Sequence, residues 1–512
     1  MTEDIHTDVL VVGGGNAGFS AAHSARERGA EALILESAPE DQAGGNSFYT
    51  AGAFRLAHAG TDDLAGLVVD EDERDRLDRT VVPAYPEQSF TADMERVTEG
   101  RNDRALTQVL VSGSADAARW LAGKGIRWRL MYERQAYERG GTYTFFGDLA
   151  LGTVGGGKGL IAQHTRAALD TGIGIRYGAT VTDLHRDDAG VVTGATVSGP
   201  EGSYRVHAGS TVLAAGGFEA NPVLRARHLG AEWEHAIVRG TPTNDGTVLE
   251  LALGIGAAPR GDFGTCHSVA WDTGAPLRGG DRRLTNQYTR QSYPLGVVVD
   301  RDGQRFVDEG ADYRNYTYAK YGREILRRPG GVAWQLFDAT TRPMLRTEEY
   351  DSEPITMASA ETIEELARAL GIDPDGLRHT VDGFNASIDP RPFDAAVKDG
   401  RRSDVMPPKS NWAMALDTPP YYGYAVSCGI TFTFGGVHID PTARVLDPAG
   451  TPIDGLYAAG EMVGGLFSGN YPGGSGLTSG TVFGRIAGRE AALLATTETA
   501  RGALHVGPSG AR

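Results

Sequence analysis

The stretch Asp8-Val-Leu-Val-Val12, running straight into Gly13-Gly-Gly-Asn-Ala-Gly18, decides how the rest of this chain is read. An apolar, β-branched strand ends in a glycine turn, and a helix-compatible run from Ala21 to Arg28 follows. A second apolar strand, Ala32-Leu-Ile-Leu35, closes on Glu36 and Ser37. Gly13, Gly15 and Gly18 stand in GxGxxG spacing. The first glycine permits the tight turn, the second lets backbone approach a pyrophosphate, and the third allows close helix–strand packing. Asn16 and Ala17 then open a helix whose N-terminus faces the phosphate charge. Glu36 is placed to accept from ribose hydroxyls, and an acid there argues against a 2′-phosphate. The unit predicts a dinucleotide site.

The bulk properties narrow the partners. A chain of 512 residues is too long for one ordinary core, so two or three lobes are expected. The formal charge of −17 disfavours nucleic acid and anionic membranes, and an anionic substrate needs its own local basic cluster. The two cysteines, Cys266 and Cys428, form no CxxC or larger cluster, which excludes disulfide-scaffold, haem-attachment, iron–sulfur and cysteine-zinc readings; no metal is expected. The acidic N-terminus lacks the pattern of an export signal, and no run of eighteen apolar residues occurs. A cytoplasmic protein without membrane insertion is expected.

Glycine is frequent, with 71 residues, and recurs in pairs and triplets beside apolar strands, as expected where backbone packs against a large flat ligand. Residues 56 to 150 carry charged helical patterns and read as an insertion. Strand patterns return at Ile173–Tyr177, Val191–Val197 and Ser210–Ala215, the last closing on Gly216-Gly217. From about 263 to 425 short strands, a helical stretch (Glu361 to Leu370) and proline-rich connections mark a candidate second domain. The strand Gly455–Ala459 runs into Gly460-Glu461, and a turn at Gly473 to Gly476 opens a final helix expected to end near Ala495.

Together these elements resemble the flavoprotein family of fumarate reductases and succinate dehydrogenases, over nearly the whole chain. The N-terminal unit matches that family's FAD fingerprint. Gly44-Gly45-Asn46-Ser47 with Thr50-Ala51-Gly52 is similar to its second flavin loop, and Thr211 to Phe218 to its Ala-Thr-Gly-Gly strand end. Asn244-Asp245-Gly246 is similar to its Gly-Asp-Gly turn, and Gly455–Glu461 to the segment whose acid sits beside the ribityl chain. Val181, Ala215, Gly216 and Gly217 join the expected cofactor set. Members with covalent flavin carry a histidine in the second flavin loop, whereas Asn46 and Ser47 stand here, so the resemblance implies dissociable FAD. Ser475-Gly476-Leu477 is placed to aim backbone N–H groups at the flavin's pyrimidine end, where the helix dipole favours negative charge on the reduced ring.

The family places a proton-transferring arginine shortly after an Arg-Phe-Val-x-Glu strand. Arg305-Phe-Val-Asp-Glu309 is followed here by Arg314, one residue beyond the usual spacing. Guanidinium is a reluctant acid, so its first job is to clamp and polarise a carboxylate or carbonyl; a surface ion pair with Glu309 or Asp312 is the structural alternative. Two departures matter. The family's paired histidines are replaced by Thr431 and Phe432, and the arginine that grips a dicarboxylate in the final glycine loop is replaced by Tyr471. Fumarate itself is therefore not the expected substrate. Tyr471-Pro472-Gly473 is similar to the loop of ketosteroid dehydrogenases, where a tyrosine polarises a ketone. The overall pattern, with Asp308 to Lys320 and Gly469 to Gly480, is closest to tricarballylate dehydrogenase-like proteins. His267 falls where the family has a substrate-binding histidine, and Arg55 and Arg290 are further candidates to hold anions.

These readings give an α/β fold: a Rossmann-like FAD-binding domain with an inserted α+β capping domain. The FAD domain is expected over 1–262 and 426–495, the capping domain over 263–425, and a tail over 496–512. Arg314, Tyr471 and His267 are the expected catalytic residues, with Arg55, Arg290, Thr431 and Phe432 binding substrate. The expected reaction transfers hydride between flavin and a carbon next to a carboxylate or carbonyl, on a tricarballylate-like di- or tricarboxylate. A ketone or enone dehydrogenase using Tyr471 is one alternative. A flavin subunit active only within an electron-transfer complex is another. Without haem or iron–sulfur motifs, electrons must pass to quinone, oxygen, NAD(P)H or a redox partner protein.

Overall fold

The run expected at Asp8–Val12 is the inner end of a longer strand, Asp4–Val12, whose last four residues are buried. The turn leads into a helix over Asn16–Glu27 and a strand over Ala32–Glu36, parallel to the first. The structure, a computed structural model, describes residues 4–68, 71–353 and 355–505. The first strand lies at the centre of an eight-stranded sheet. On one side stand Ala32–Glu36 and Gly174–Tyr177, and on the other Gly202–Leu213, which together with it form a run of parallel pairs. Thr180–Arg186 and Val192–Gly199 extend the sheet antiparallel, and Pro452–Ala458 joins Gly202–Leu213 in parallel. Val9–Val12 and Ala32–Leu35 pair in parallel at the centre and are largely buried, which explains why these two stretches are apolar.

The last helix, Ser475–His505, runs beyond the end expected at Ala495; the part of the expected tail at 506–512 lies outside the described residues. Its glycines set how it packs. A Cβ on Gly484 would stand 2.5 Å from the Ala17 carbonyl oxygen, and one on Gly488 2.0 Å from that of Ala21. Hydrogen at both positions, one turn apart, lets the last helix press on the backbone of the first. Their N-termini consequently converge. Asn16 Nδ2 donates to the Leu477 carbonyl at 2.8 Å and to Thr481 Oγ1 at 3.1 Å, and Asn16 Oδ1 lies 3.1 Å from His164 Nε2.

A second, six-stranded sheet is built on one long strand, Tyr421–Val437. Pro259–Asp272 pairs with it antiparallel through two register shifts, one of them between His267 and Ser268. Such bulges re-aim side chains. Both strands run through the positions expected as domain boundaries, 262/263 and 425/426. The helix expected at Glu361–Leu370 is present as Ile363–Leu370, with Thr362 Oγ1 capping the Glu365 N–H at 3.2 Å. Residues 56–150 contribute the helices Glu87–Val97 and Arg104–Gly123, a small sheet of Thr80–Val81, Ala136–Arg139 and Thr142–Phe145, and the strand Trp128–Leu130 of another.

Candidate active site

One long cavity opens where the two sheets meet. It begins at Glu36 and Ser37, passes Gly13, Gly15, Asn16 and Ala17, and continues along Ala215, Gly216 and Gly217. Gly45, Asn46, Ser47, Thr50 and Ala51 line it too, as do Val181, Asn244, Asp245, Gly460, Glu461, Gly476 and Leu477. The turn is glycine by necessity: Gly13 has φ +113°, and a Cβ there would lie 2.2 Å from the Ala214 carbonyl oxygen. Gly18, Gly44, Gly52 and Ser475 shape the walls from behind. A Cβ on Gly18 would meet the Gly13 carbonyl oxygen at 1.9 Å, and Ser475 Oγ donates to the Pro472 carbonyl at 2.7 Å. Ser47 Oγ accepts from the Asn16 N–H at 3.0 Å, tying the second loop to the first helix. Glu36 accepts from the N–H groups of Gly14 at 3.1 Å and Ala38 at 2.9 Å, and burial raises its pKa. An elongated slot with an acid at one end and a helix N-terminus at its middle and far end suits a dinucleotide bearing a flat ring.

Beyond the Gly476 end, aromatic rings enclose His267. It stacks on Phe432, its cross-strand neighbour, at 5.3 Å and meets Tyr318 and Tyr471 edge-on at 5.0 and 4.9 Å. Neither ring nitrogen of His267 has a partner. Burial and the nearby Arg239 hold its pKa well below the ordinary value, so the imidazole is neutral. The Tyr471 hydroxyl lies 2.5 Å from that of Tyr318, and burial beside that second phenol raises the Tyr471 pKa well above 10. Tyr471 is therefore a neutral donor near neutral pH.

Two arginines at the cavity have no carboxylate partner among the described residues. Arg314 is buried, its Nη2 is unbonded, and its guanidinium lies 5.5 Å from the Phe146 ring centre; the ion pair considered from sequence does not form. Arg239 donates to Thr431 Oγ1 at 2.6 Å and to Asn286 Oδ1, while its Nε is unbonded. Buried cations without counter-ions await an anion or a strong dipole.

Arg55 and Arg290, expected to bind substrate, do not face the cavity. Arg55 is fully buried and donates to the Gly473 carbonyl at 2.8 Å, the Tyr316 hydroxyl at 2.9 Å and the Gly147 carbonyl at 3.1 Å. It holds the loop bearing Tyr471. Arg290 pairs with Asp272 at 2.7 Å, both side chains being inaccessible, and also donates to backbone carbonyls of Gln287 and Thr289. A buried guanidinium is held by internal acceptors, and both of these are, although Arg290 Nε keeps no partner among the described residues. Thr431 and Phe432 do line the cavity, the first through Arg239 and the second through His267.

Sequence reading missed Arg239, Tyr318 and Glu219. Arg239 follows an apolar pair, Ile237-Val238, just before Gly240-Thr241-Pro242, and a charge in that place is the signal that could have found it. Tyr318 lies in the Asp308–Lys320 stretch, where only Arg314 was singled out. Glu219 Oε1 accepts from Asn46 Nδ2 at 2.6 Å and Asn244 Nδ2 at 2.8 Å, and the Glu461 carboxyl, which accepts from the Thr433 N–H at 2.8 Å, is its neighbour. Burial raises both carboxyl pKa values, and the Glu219 charge beside it raises that of Glu461 further, so the pair retains a proton.

The parallel sheet, glycine turn and enclosed ring-lined pocket define a dinucleotide-dependent oxidoreductase. The chain belongs to the FAD binding domain family, which it matches over residues 8–477. It is 30% identical to a probable fumarate reductase of Shewanella frigidimarina over 95% of this chain and 75% of that one. It is 28% identical to the urocanate reductase of Eggerthella lenta over 97% and 76%. The open conformation of a flavocytochrome c3 fumarate reductase superposes with a TM-score of 0.72 at 29% identity, covering 96% of this chain and 79% of that one. The cofactor is FAD, and the enzyme is an FAD-dependent dehydrogenase or reductase acting on CH–CH bonds. Among the described residues no helix is long and apolar enough to cross a membrane.

Proposed function

We propose that the enzyme adds or removes hydrogen across a carbon–carbon bond next to a carboxylate or ketone, using FAD held without a covalent link. The observation that carries this reading is the pair of buried, unpaired guanidiniums, Arg239 and Arg314, on one cavity with the Tyr471 hydroxyl. When bound, FAD supplies the acceptor or donor of hydride. Arg314 and Arg239 hold the carboxylate or carbonyl, which acidifies the adjacent C–H, and the proton moves at the carbon next to the one exchanging hydride. Phe432, Tyr318 and Tyr471 exclude water. Two free cations balance one or two carboxylates and leave a third unmatched, so dicarboxylates and keto-acids rank ahead of tricarballylate.

The ketone alternative is supported by Tyr471 as a neutral phenol whose hydroxyl shares a hydrogen bond with that of Tyr318. Non-covalent FAD is supported by Asn46, whose amide is committed to Glu219, Thr431 and the Thr241 N–H. A cytoplasmic protein passing electrons to a quinone or redox partner protein completes the proposal. Anaerobic mixing with saturated acids and ketones should bleach the flavin absorbance, and unsaturated counterparts should restore it in the reduced enzyme. Failure of every carboxylate and ketone in such a screen overturns the reading.

A further inference from the structure

Arg134, Gln291 and Arg314 line the flavin cavity on one side and a second chamber of about 240 Å³ on the other. Four rings form a connected wall of this chamber. Tyr137 stacks on Phe146 at 5.0 Å, Phe146 meets Tyr313 at 5.9 Å, and Tyr313 meets Trp412 at 5.7 Å. Leu295, Met344 and Leu345 also line it. Trp412 is buried with φ +56°, a strained conformation for a bulky residue, and its indole N–H donates to the carbonyls of Val397 at 2.8 Å and Asp394 at 3.1 Å. Strain of this kind persists only where surroundings over-determine it, and it marks functional sites.

The charges at the partition are unequal. Arg134 is paired with Glu348 and Glu349, and Arg346 with Glu349. Of the three arginines that line this chamber, Arg314 alone has no counter-ion among the described residues, and it lies over Phe146 in the ring wall. A molecule whose carboxylate or carbonyl meets Arg314 therefore has an aromatic chamber directly behind that residue.

We infer that this chamber is a distal subsite for the planar ring of a substrate longer than a four-carbon dicarboxylate, a carboxylic acid or ketone carrying an aryl or alicyclic tail. The inference rests on the proposed carboxylate or carbonyl chemistry and adds the class of substrate. The ring stacks between the Phe146–Tyr313–Trp412 wall and the aliphatic side, while Arg314 holds the polar group next to the reacting carbons. Apolar burial of one ring raises affinity by about tenfold or more.

The test uses the FAD-loaded enzyme with trans-2-butenoate and trans-5-phenylpent-2-enoate, and their saturated acids butanoate and 5-phenylpentanoate. Equilibrium binding of the saturated acids is read from perturbation of the flavin spectrum, and KM from reoxidation of reduced enzyme by the enoates. Tighter binding and a lower KM for the phenyl acid, each by about tenfold, are expected. Phe146→Ala and Leu345→Trp, one removing the wall and the other filling the space, should collapse that preference to less than about twofold. If the phenyl acid binds more tightly but no acid exchanges electrons with the flavin, the subsite stands and the proposed reaction falls. If the short acids react and the phenyl acids bind no better, or both variants keep the full preference, the inference is overturned and the chamber is only a passage.

Discussion

Tyr471 and Tyr318 face each other with their hydroxyls 2.5 Å apart, and both rings wall in a histidine whose nitrogens have no partner. The two phenols come from distant parts of the chain, so the donor forms only when the final glycine loop docks on the capping region. Replacing Tyr471 by Phe removes the hydroxyl and keeps the ring. On a keto substrate kcat should fall about 10²–10³-fold, the loss associated with removing one preorganised donor. On a substrate held only through a carboxylate the fall should stay below about tenfold. Steady-state rates on paired ketone and carboxylate substrates decide between the two chemistries.

Arg314 and Arg55 should fail in different ways. Arg314→Met removes a free guanidinium, so kcat/KM should drop about 10²–10³-fold while the melting temperature hardly moves. Arg314→Lys should recover little, since an ammonium lacks the planar fork. Arg55→Met leaves the carbonyls of Gly473 and Gly147 and the Tyr316 hydroxyl without their donor. That should cost about 3–5 kcal/mol of stability, seen first in thermal unfolding. A kinetic defect without loss of stability in the Arg55 variant contradicts its structural assignment.

Acid should loosen the cofactor domain through two stacked histidines. His23 and His164 lie 5.5 Å apart and are buried under Asn16. Burial, with Lys124 nearby outweighing Glu27, lowers the His23 pKa to about 4, and burial beside His23 puts that of His164 well below its ordinary value. Between about pH 6.5 and 4 the unfolded chain binds protons that the folded chain refuses, so stability falls as pH falls. His23 alone contributes a loss of the order of 3 kcal/mol across that window. His23→Phe, which keeps the stacking, should flatten the pH dependence of the melting temperature; an unchanged slope rules this origin out.

Gly488→Ala tests the helix contact directly. The added methyl would stand 2.0 Å from the Ala21 carbonyl oxygen, so helices must separate. A cost of about 1–3 kcal/mol or more is expected, together with weaker retention of FAD on gel filtration, because Asn16 and Leu477 move apart with the helices. Gly29→Ala, at a site with no atom within 4 Å but φ +83°, serves as a strain control that should leave FAD bound.

The cofactor slot was legible because its residues are local in sequence. A strand, a glycine turn, a helix and an acid describe one βαβ unit whose geometry repeats wherever that spacing occurs. Glu461 and Gly476 were equally readable from the turns that carry them. Arginine roles were not. Arg55, Arg239, Arg290 and Arg314 look alike as letters, and only burial and the supply of internal acceptors separate the spent guanidiniums from the free ones. His267 illustrates both sides: its place in the resembled family's pattern suggested a site, but the bulge between it and Ser268 leaves no mark in composition. Glu219 was hidden for a similar reason, since its partner Glu461 lies far along the chain.

The contact between Gly488 and Ala21 also sets a timetable. The first helix is synthesised early, yet the face it offers to the cofactor is completed only by a helix that begins at Ser475. During translation the glycine turn therefore waits beside an uncovered groove, with its central strand still lacking the Gly202–Leu213 neighbour until mid-chain. Cofactor capture is in this sense a late event, and the nascent N-terminal half is the part of the molecule most in need of protection before the last helix arrives.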